Sequence, residues 1–112
     1  MTSTARREQG LNHAPRDFDI EFDVHDRVLK PHGELDMLTS PILLAAAKAF
    51  TWEIPGDMTV DLGAVTFGDS ALLNALIDIR LDQHELGHTM KITNVTTSIK
   101  RLFLLSGFRP SA

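Results

Sequence analysis

The chain has no cysteine among its 112 residues, which excludes disulfides, thiolate metal sites and thiol nucleophiles. No uninterrupted apolar run is long enough to span a bilayer, so no membrane insertion is expected. The polar start MTSTARREQGLNHAPRD lacks the apolar stretch of a secretory signal. A cytoplasmic location is the expectation, with residues 1–16 as a flexible arm. Neither G-x-x-x-x-G-K-[ST] nor G-x-G-x-x-G occurs, so no phosphate cradle is visible and no cofactor is implied. Acidic residues are missing after Glu85, where Lys91, Lys100, Arg101 and Arg109 stand alone. Residues 1–88 then hold 7 basic against 15 acidic side chains, a formal charge of −8. Nucleic acid is a poor partner for such a body. The acidic surface either meets a basic protein or serves only to keep the chain soluble.

At 43% hydrophobic and 23% charged, the composition is that of an ordinary globular protein, and the length suits one domain better than an enzyme with an enclosed cleft. In FDIEFDV, residues 18–24, Phe18, Ile20, Phe22 and Val24 alternate with Asp19, Glu21 and Asp23, the period of a strand with one buried face. RVLKPHGELD reads as a second strand doubling back, with Pro31 placed near its edge or end because proline cannot donate to a ladder. Ser40-Pro41 reads as a helix start, the serine oxygen capping and the proline at the first helical position, with the helix running to about Phe50. MTVDLGAVTF forms a central third strand through Met58, Val60 and Leu62, and Val65 and Phe67 continue it toward the next segment. From Asp69 to about Gln83 a second helix turns Leu72, Leu73, Leu76, Ile77 and Ile79 inward, with Asn74, Asp78, Asp82 and Glu85 as a polar stripe. Gly87 stops it. TMKITNV is a fourth strand, and Thr96 or Thr97 caps a last helix that buries Ile99, Leu102 and Phe103 and closes at Gly107. The pattern is α/β: about four strands in a mixed sheet, an N-terminal hairpin plus βα units, packed with three helices.

HELGH, residues 84–88, matches the H-E-x-x-H pattern of a zinc peptidase, in which two histidines one helical turn apart hold the metal. Here the five residues span a helix end and the turn after it, and no His, Asp or Glu follows His88 to supply a downstream third ligand. Two exposed histidines, with glycine as the stop, are the plainer reading. The other histidines, His13, His25 and His32, are scattered over the arm and first hairpin.

Two loops remain, GELDMLTSP (33–41) and TFGDSALL (66–73), each following a strand and opening a helix. In an open α/β sheet such loops gather at one edge, where binding sites form. GELD with a helix after it, V-D-L-x-x-V-x-F-x-D-S opening a second helix, a glycine before a short strand, and I-K-R-L-F-L-L-S-G-F in the last helix together resemble the STAS domain over about residues 18–108. The nearest resemblance is to the anti-sigma factor antagonists. It implies a STAS domain over 17–112 and a non-catalytic switch protein that binds an anti-sigma factor, usually a kinase with a histidine-kinase-like ATPase fold. Phosphorylation by that kinase breaks the complex, and a serine phosphatase restores it.

Carried onto this chain, the resemblance makes Ser70 the phosphoacceptor, with Asp69 as the acid before it and Glu34 and Asp36 as the acidic loop beside it. Where the family has D-S-[ST]-G-L, this chain has D-S-A-L-L, so Ala71 removes a second hydroxyl and Leu72 replaces a glycine within the partner-binding stretch. The chain stops at Ala112, where many members add a strand and a helix, and so reads as a short version. From the residues alone, Asp69-Ser70 is a helix cap as readily as a switch, and Glu34 and Asp36 are solvated acids as readily as contacts. The alternative within the fold is a STAS subunit of a lipid-transport ATPase or a stress-signalling scaffold, with Ser70 structural.

Overall fold

The protein is seen as a computed structural model that describes residues 18–110. The arm expected over 1–16, with His13, lies outside the described residues. The alternating stretch forms β1 (Asp19–Asp23), joined by a tight turn to β2 (Val28–Leu35) as an antiparallel hairpin in register from Asp19 opposite His32 to Asp23 opposite Val28. The Asp23 carboxylate accepts the Asp26 N–H at 3.0 Å and fixes the turn. Only the first half of the apolar face of β1 is covered. Ile20 is half-buried, while Phe22 stays 47% exposed on this edge strand and Val24, in the turn after it, 56%. Phe22 leans on Phe50 with ring centroids 5.6 Å apart.

β2 is the hub of the sheet. It pairs with β1 on one side and, in parallel, with both β3 (Met58–Asp61) and β4 (Val65–Gly68) on the other. Pro31 is therefore in the interior of the central strand, buried, and not at an edge or end as its chemistry suggested. The reason is local. The Gly33 N–H bonds the Ala64 carbonyl at 3.0 Å, so odd-numbered amides of β2 face the β3/β4 side. Pairing with β3 covers Val28 and Leu29, and pairing with β4 resumes at Gly33. Pro31 falls in the gap between them, where a missing donor breaks no ladder.

The single third strand read from MTVDLGAVTF is in fact two. Asp61 accepts the Gly63 N–H at 2.9 Å, and the Val65 N–H returns to the Leu62 carbonyl at 3.1 Å, a turn that carries the chain from beside β5 (Met90–Thr93) across to β2. The sheet thus has five strands, ordered β1-β2-β3-β5, with β4 alongside β2.

α1 (Ser40–Glu53) begins one residue differently from expectation. Ser40 is its first residue and its buried hydroxyl has no partner among the described residues. Thr39 is the N-cap and its side chain bonds no helix amide; Asp36 ties down the loop just before the helix, its carboxylate accepting the Leu38 and Thr39 amides and its carbonyl the Ser40 N–H. The helix also runs past Phe50, leaving Trp52 within it and 86% exposed. α2 (Ser70–Glu85) buries Leu72, Leu73, Ala75, Leu76, Ile79 and Gln83. Ile77, expected inward, is 41% exposed, because the buried strip is centred nearer α1. There Lys48 pairs with Asp82 at 2.8 Å and the Gln83 amide donates to Thr51 Oγ1 at 2.7 Å. α3 (Thr97–Ser106) is capped at its start by Thr96, whose hydroxyl accepts the Ile99 N–H, and at its end by Gly107 with φ +80°. The three helices among the described residues join one apolar cluster with the sheet, built on Leu29, Leu35, Leu43, Val60, Leu62, Leu72, Leu76, Ile79 and Ile99.

Candidate functional site

The strand break that sends β4 to β2 places the two candidate loops side by side. Glu34 is in register with Phe67 and Leu35 with Gly68, after an irregularity at Gly33, whose φ of +108° suits glycine. The Asp69 N–H reaches the Leu35 carbonyl at 3.4 Å. The chain therefore leaves both strands at the same edge, into Asp36 on one side and Ser70 on the other.

The Asp36 loop is rigidly wired. Its carboxylate accepts the Thr39 and Leu38 amides at 3.1 and 2.9 Å, and the Asp36 N–H donates to Thr39 Oγ1 at 3.0 Å. The Thr39 hydroxyl in turn donates to the Glu34 carbonyl. The Thr39 amide first and the Leu38 amide second hold the Asp36 carboxyl below the usual carboxylate range, because both bond the charged form. Thr39 is the buried hub of this loop, at 1% exposure. In the sequence the run T-S-P points to Ser40, which stands directly before Pro41, and not to Thr39.

On the other side Asp69 is the N-cap of α2, with extended backbone and a carboxylate that accepts the Ala71 N–H at 2.9 Å. Ser70 is the first residue of the helix. It is exposed, and among the described residues its hydroxyl has no hydrogen-bond partner. Since Asp69 already takes the Ala71 amide, the first turn has one fewer free donor for an added anion than a bare helix start would have. Ala71 is half-buried beside it. Leu72 is fully buried, and a Cβ placed on Gly68 would lie 2.6 Å from its Cδ2. Leu72 therefore anchors the first turn from below and offers no surface to a partner in this conformation.

The face combines exposed Glu34 and Ser70 with half-buried Asp36 and Asp69, interleaved with exposed apolar groups: Met37 at 71%, Leu38 at 68% and Phe67 at 47% exposure. None of the three acids forms an ion pair among the described residues. Acidic groups here rim exposed apolar side chains, a combination that polar-rimmed apolar patches share.

HELGH forms no comparable site. The Gly87 N–H bonds the His84 carbonyl at 3.0 Å and the His88 N–H the Gln83 carbonyl at 2.8 Å, with Gly87 at φ +81°: a Schellman closure. His84 is thus in the last turn of α2, while His88 has left the helix and lies 3.9 Å from Asp57. Among the described residues, no group of three His, Asp or Glu side chains could share a metal ion. No helix among them is long and apolar enough to cross a membrane.

Comparison with known proteins bears on the fold. A search of curated proteins finds no significant match. An anti-sigma factor antagonist from Mycobacterium paratuberculosis superimposes with a TM-score of 0.73 at 27% identity, over 84% of this chain and 81% of that one. The anti-sigma factor antagonist SpoIIAA in its unphosphorylated form gives a TM-score of 0.67 at 16% identity, over 81% of each chain. The Bacillus cell fate determinant SpoIIAA in its phosphorylated form gives 0.62 at 16% identity, over 81% of this chain and 84% of that one. The family model described as "Mlab, STAS domain" matches residues 18–109. With almost every described residue inside that match and the five-stranded α/β fold shared with these structures, the chain belongs to the STAS-domain family.

Proposed function

We propose that this protein is an anti-sigma factor antagonist, a non-catalytic cytoplasmic switch that binds an anti-sigma factor through Glu34, Asp36, Asp69, Ser70 and Ala71. The partner is a kinase with a histidine-kinase-like ATPase fold, phosphorylation of Ser70 breaks the complex, and a serine phosphatase resets it. One observation carries the reading: Ser70 stands exposed, its hydroxyl unengaged, at the start of α2 inside an acidic and apolar contact face. The similarity to anti-sigma factor antagonists supports the same role.

The electrostatics give the switch its direction. A phosphate adds about −1.5 to −2 charges beside Asp69, which already holds the Ala71 amide, so the new group is pushed outward to where the partner packs. Against a partner carboxylate about 6 Å away, an effective dielectric of about 20 gives about 2–3 kcal/mol per unit charge pair before screening by salt. Binding should weaken by about tenfold to a hundredfold. Incubation with the cognate kinase and ATP, followed by mass spectrometry, should place one phosphate on Ser70. Ser70→Ala should bind and resist ATP-driven release, and Ser70→Asp should bind weakly while remaining folded. An unmodified Ser70, together with wild-type affinity for Ser70→Asp, would overturn the switch.

A second reading, a STAS subunit of a lipid-transport ATPase or a stress-signalling scaffold with Ser70 structural, draws on the departure at Ala71 and Leu72. It uses the same face without the modification, and it gains if Ser70→Asp leaves partner binding intact.

A further inference from the structure

The solvent face of α3 is the counterpart of the face around Ser70. Leu104 and Leu105 are 79% and 83% exposed, among the most exposed large apolar side chains described, and they are adjacent. One turn earlier on the same surface lie exposed Lys100 and Arg101, at i, i+4 spacing from the two leucines. Neither cation forms an ion pair among the described residues. This patch is apolar and basic, whereas Met37, Leu38 and Phe67 among Glu34, Asp36 and Asp69 make a patch that is apolar and acidic.

The two patches are separate on one molecule. Ile99, near the start of α3, abuts Gly68 beside Ser70, its Cδ1 2.8 Å from where a Gly68 Cβ would be. Past the end of α3, the Arg109 carbonyl accepts from Arg80 Nη2 at 2.7 Å. Arg80 is about 15 Å along α2 from Ser70 at the rise of a helix. α3 thus runs alongside α2 in the same direction, and Leu104 and Leu105 sit well down its length. A two-fold contact of either patch with itself would oppose like charges. A head-to-tail contact opposes unlike ones.

We propose that the Leu104–Leu105 face of α3 docks on the Met37–Leu38 acidic face of a second copy of this chain, so that the protein self-associates head to tail. An anionic membrane is the less suitable occupant, because residues 1–88 carry a formal −8 that such a surface repels, against two exposed leucines to insert. The contact is heterologous and leaves one free patch at each end of the assembly. It occupies the same acidic face as the anti-sigma partner and so competes with it. Its basis is the surface chemistry, independent of whether Ser70 is phosphorylated.

The test uses the full chain in sedimentation velocity over a concentration series at low and high salt. The wild type should grow in mass with concentration, and less so in high salt. Leu104→Ser with Leu105→Ser, and separately Met37→Ser with Leu38→Ser, should each raise the dissociation constant at least tenfold while keeping the circular-dichroism spectrum and Tm. An equimolar mixture of the two variants, each with one intact face, should form a complex of two chains and no larger. Ser70→Asp should associate as well as wild type or better, the opposite of its expected effect on the anti-sigma partner, so the two proposals fail separately. A wild type that stays monomeric throughout, a mixture that stays monomeric, or either variant alone associating like wild type overturns the proposal. Loss of binding to phosphatidylglycerol vesicles by the α3 variant, with no self-association of the wild type, would assign the α3 face to membrane instead.

Discussion

Replacing Gly68 by alanine sets a backbone gain against a packing loss, and the structure indicates which should win. Gly68 is not in the left-handed region, so alanine meets no conformational penalty, and reducing the freedom of the unfolded chain should favour the fold by about 0.4–1 kcal/mol. The added methyl, however, would lie 2.6 Å from Leu72 Cδ2 and 2.8 Å from Ile99 Cδ1. Both are ends of side chains, but Leu72 is 0% and Ile99 1% exposed, so neither can swing aside without displacing other core atoms. Overpacking of this kind costs about 1–3 kcal/mol. The net expectation is a loss of about 1–2 kcal/mol, with Tm falling by about 4–8 °C for each kcal/mol at this domain size. Urea and thermal unfolding of the variant measure it directly. Adding Ile99→Val, which removes the obstructing Cδ1, should recover part of the loss, a coupling that independent sites would not show. A Tm equal to or above that of the wild type would mean that the junction between β4 and α2 has space that these distances deny it.

Gly87→Val tests the opposite case, because nothing lies within 4 Å of a Cβ there and only the φ of +81° resists a β-branched residue. A loss of about 1 kcal/mol or more in urea unfolding is expected, and an unchanged midpoint would reopen a continuous helix through HELGH. The Asp36 carboxyl, lowered by the Thr39 and Leu38 amides, should stabilise the fold fully above the ordinary value of 3.8 and lose that contribution as pH falls through its lower folded pKa. The stability gap between wild type and Asp36→Asn should therefore be widest near neutral pH and narrow below pH 3.8. A gap that stays constant with pH would disconnect the carboxylate from the loop.

The elements that periodicity reveals were legible from residues alone: the hairpin from FDIEFDV, the α2 stripe, and the stops at Gly87 and Gly107. The errors share a cause, which is that strand neighbours are not written in local pattern. Pro31 reads as an edge residue because a ladder needs its N–H, and only the gap between β3 and β4 removes that need. MTVDLGAVTF reads as one strand because Leu62 and Ala64 keep the apolar run going through the turn, while the Asp61 to Gly63 bond that makes the turn has no strong signature. Ser40 and Thr39 are chemically alike, and Asp36 decides between them through bonds across the loop. Ser70 stands out only through the family resemblance, since Asp-Ser before an apolar run is an ordinary cap. Met37 and Leu38 escape notice, and Phe67 reads only as part of a strand, because an exposed apolar residue looks like a buried one in sequence.

The position of β2 between three strands has a consequence for how the molecule opens. Its amides alternate in direction, so unzipping β1 frees one set while the set facing β3 and β4 stays bonded. Native-state hydrogen exchange should therefore divide the strand by residue parity, the amides toward β1 exchanging through a local opening and those toward β3 and β4 only through global unfolding. Because Ser70 and Asp36 leave the sheet from the slow side, the face around them would remain assembled through the fluctuations that most often detach the edge hairpin.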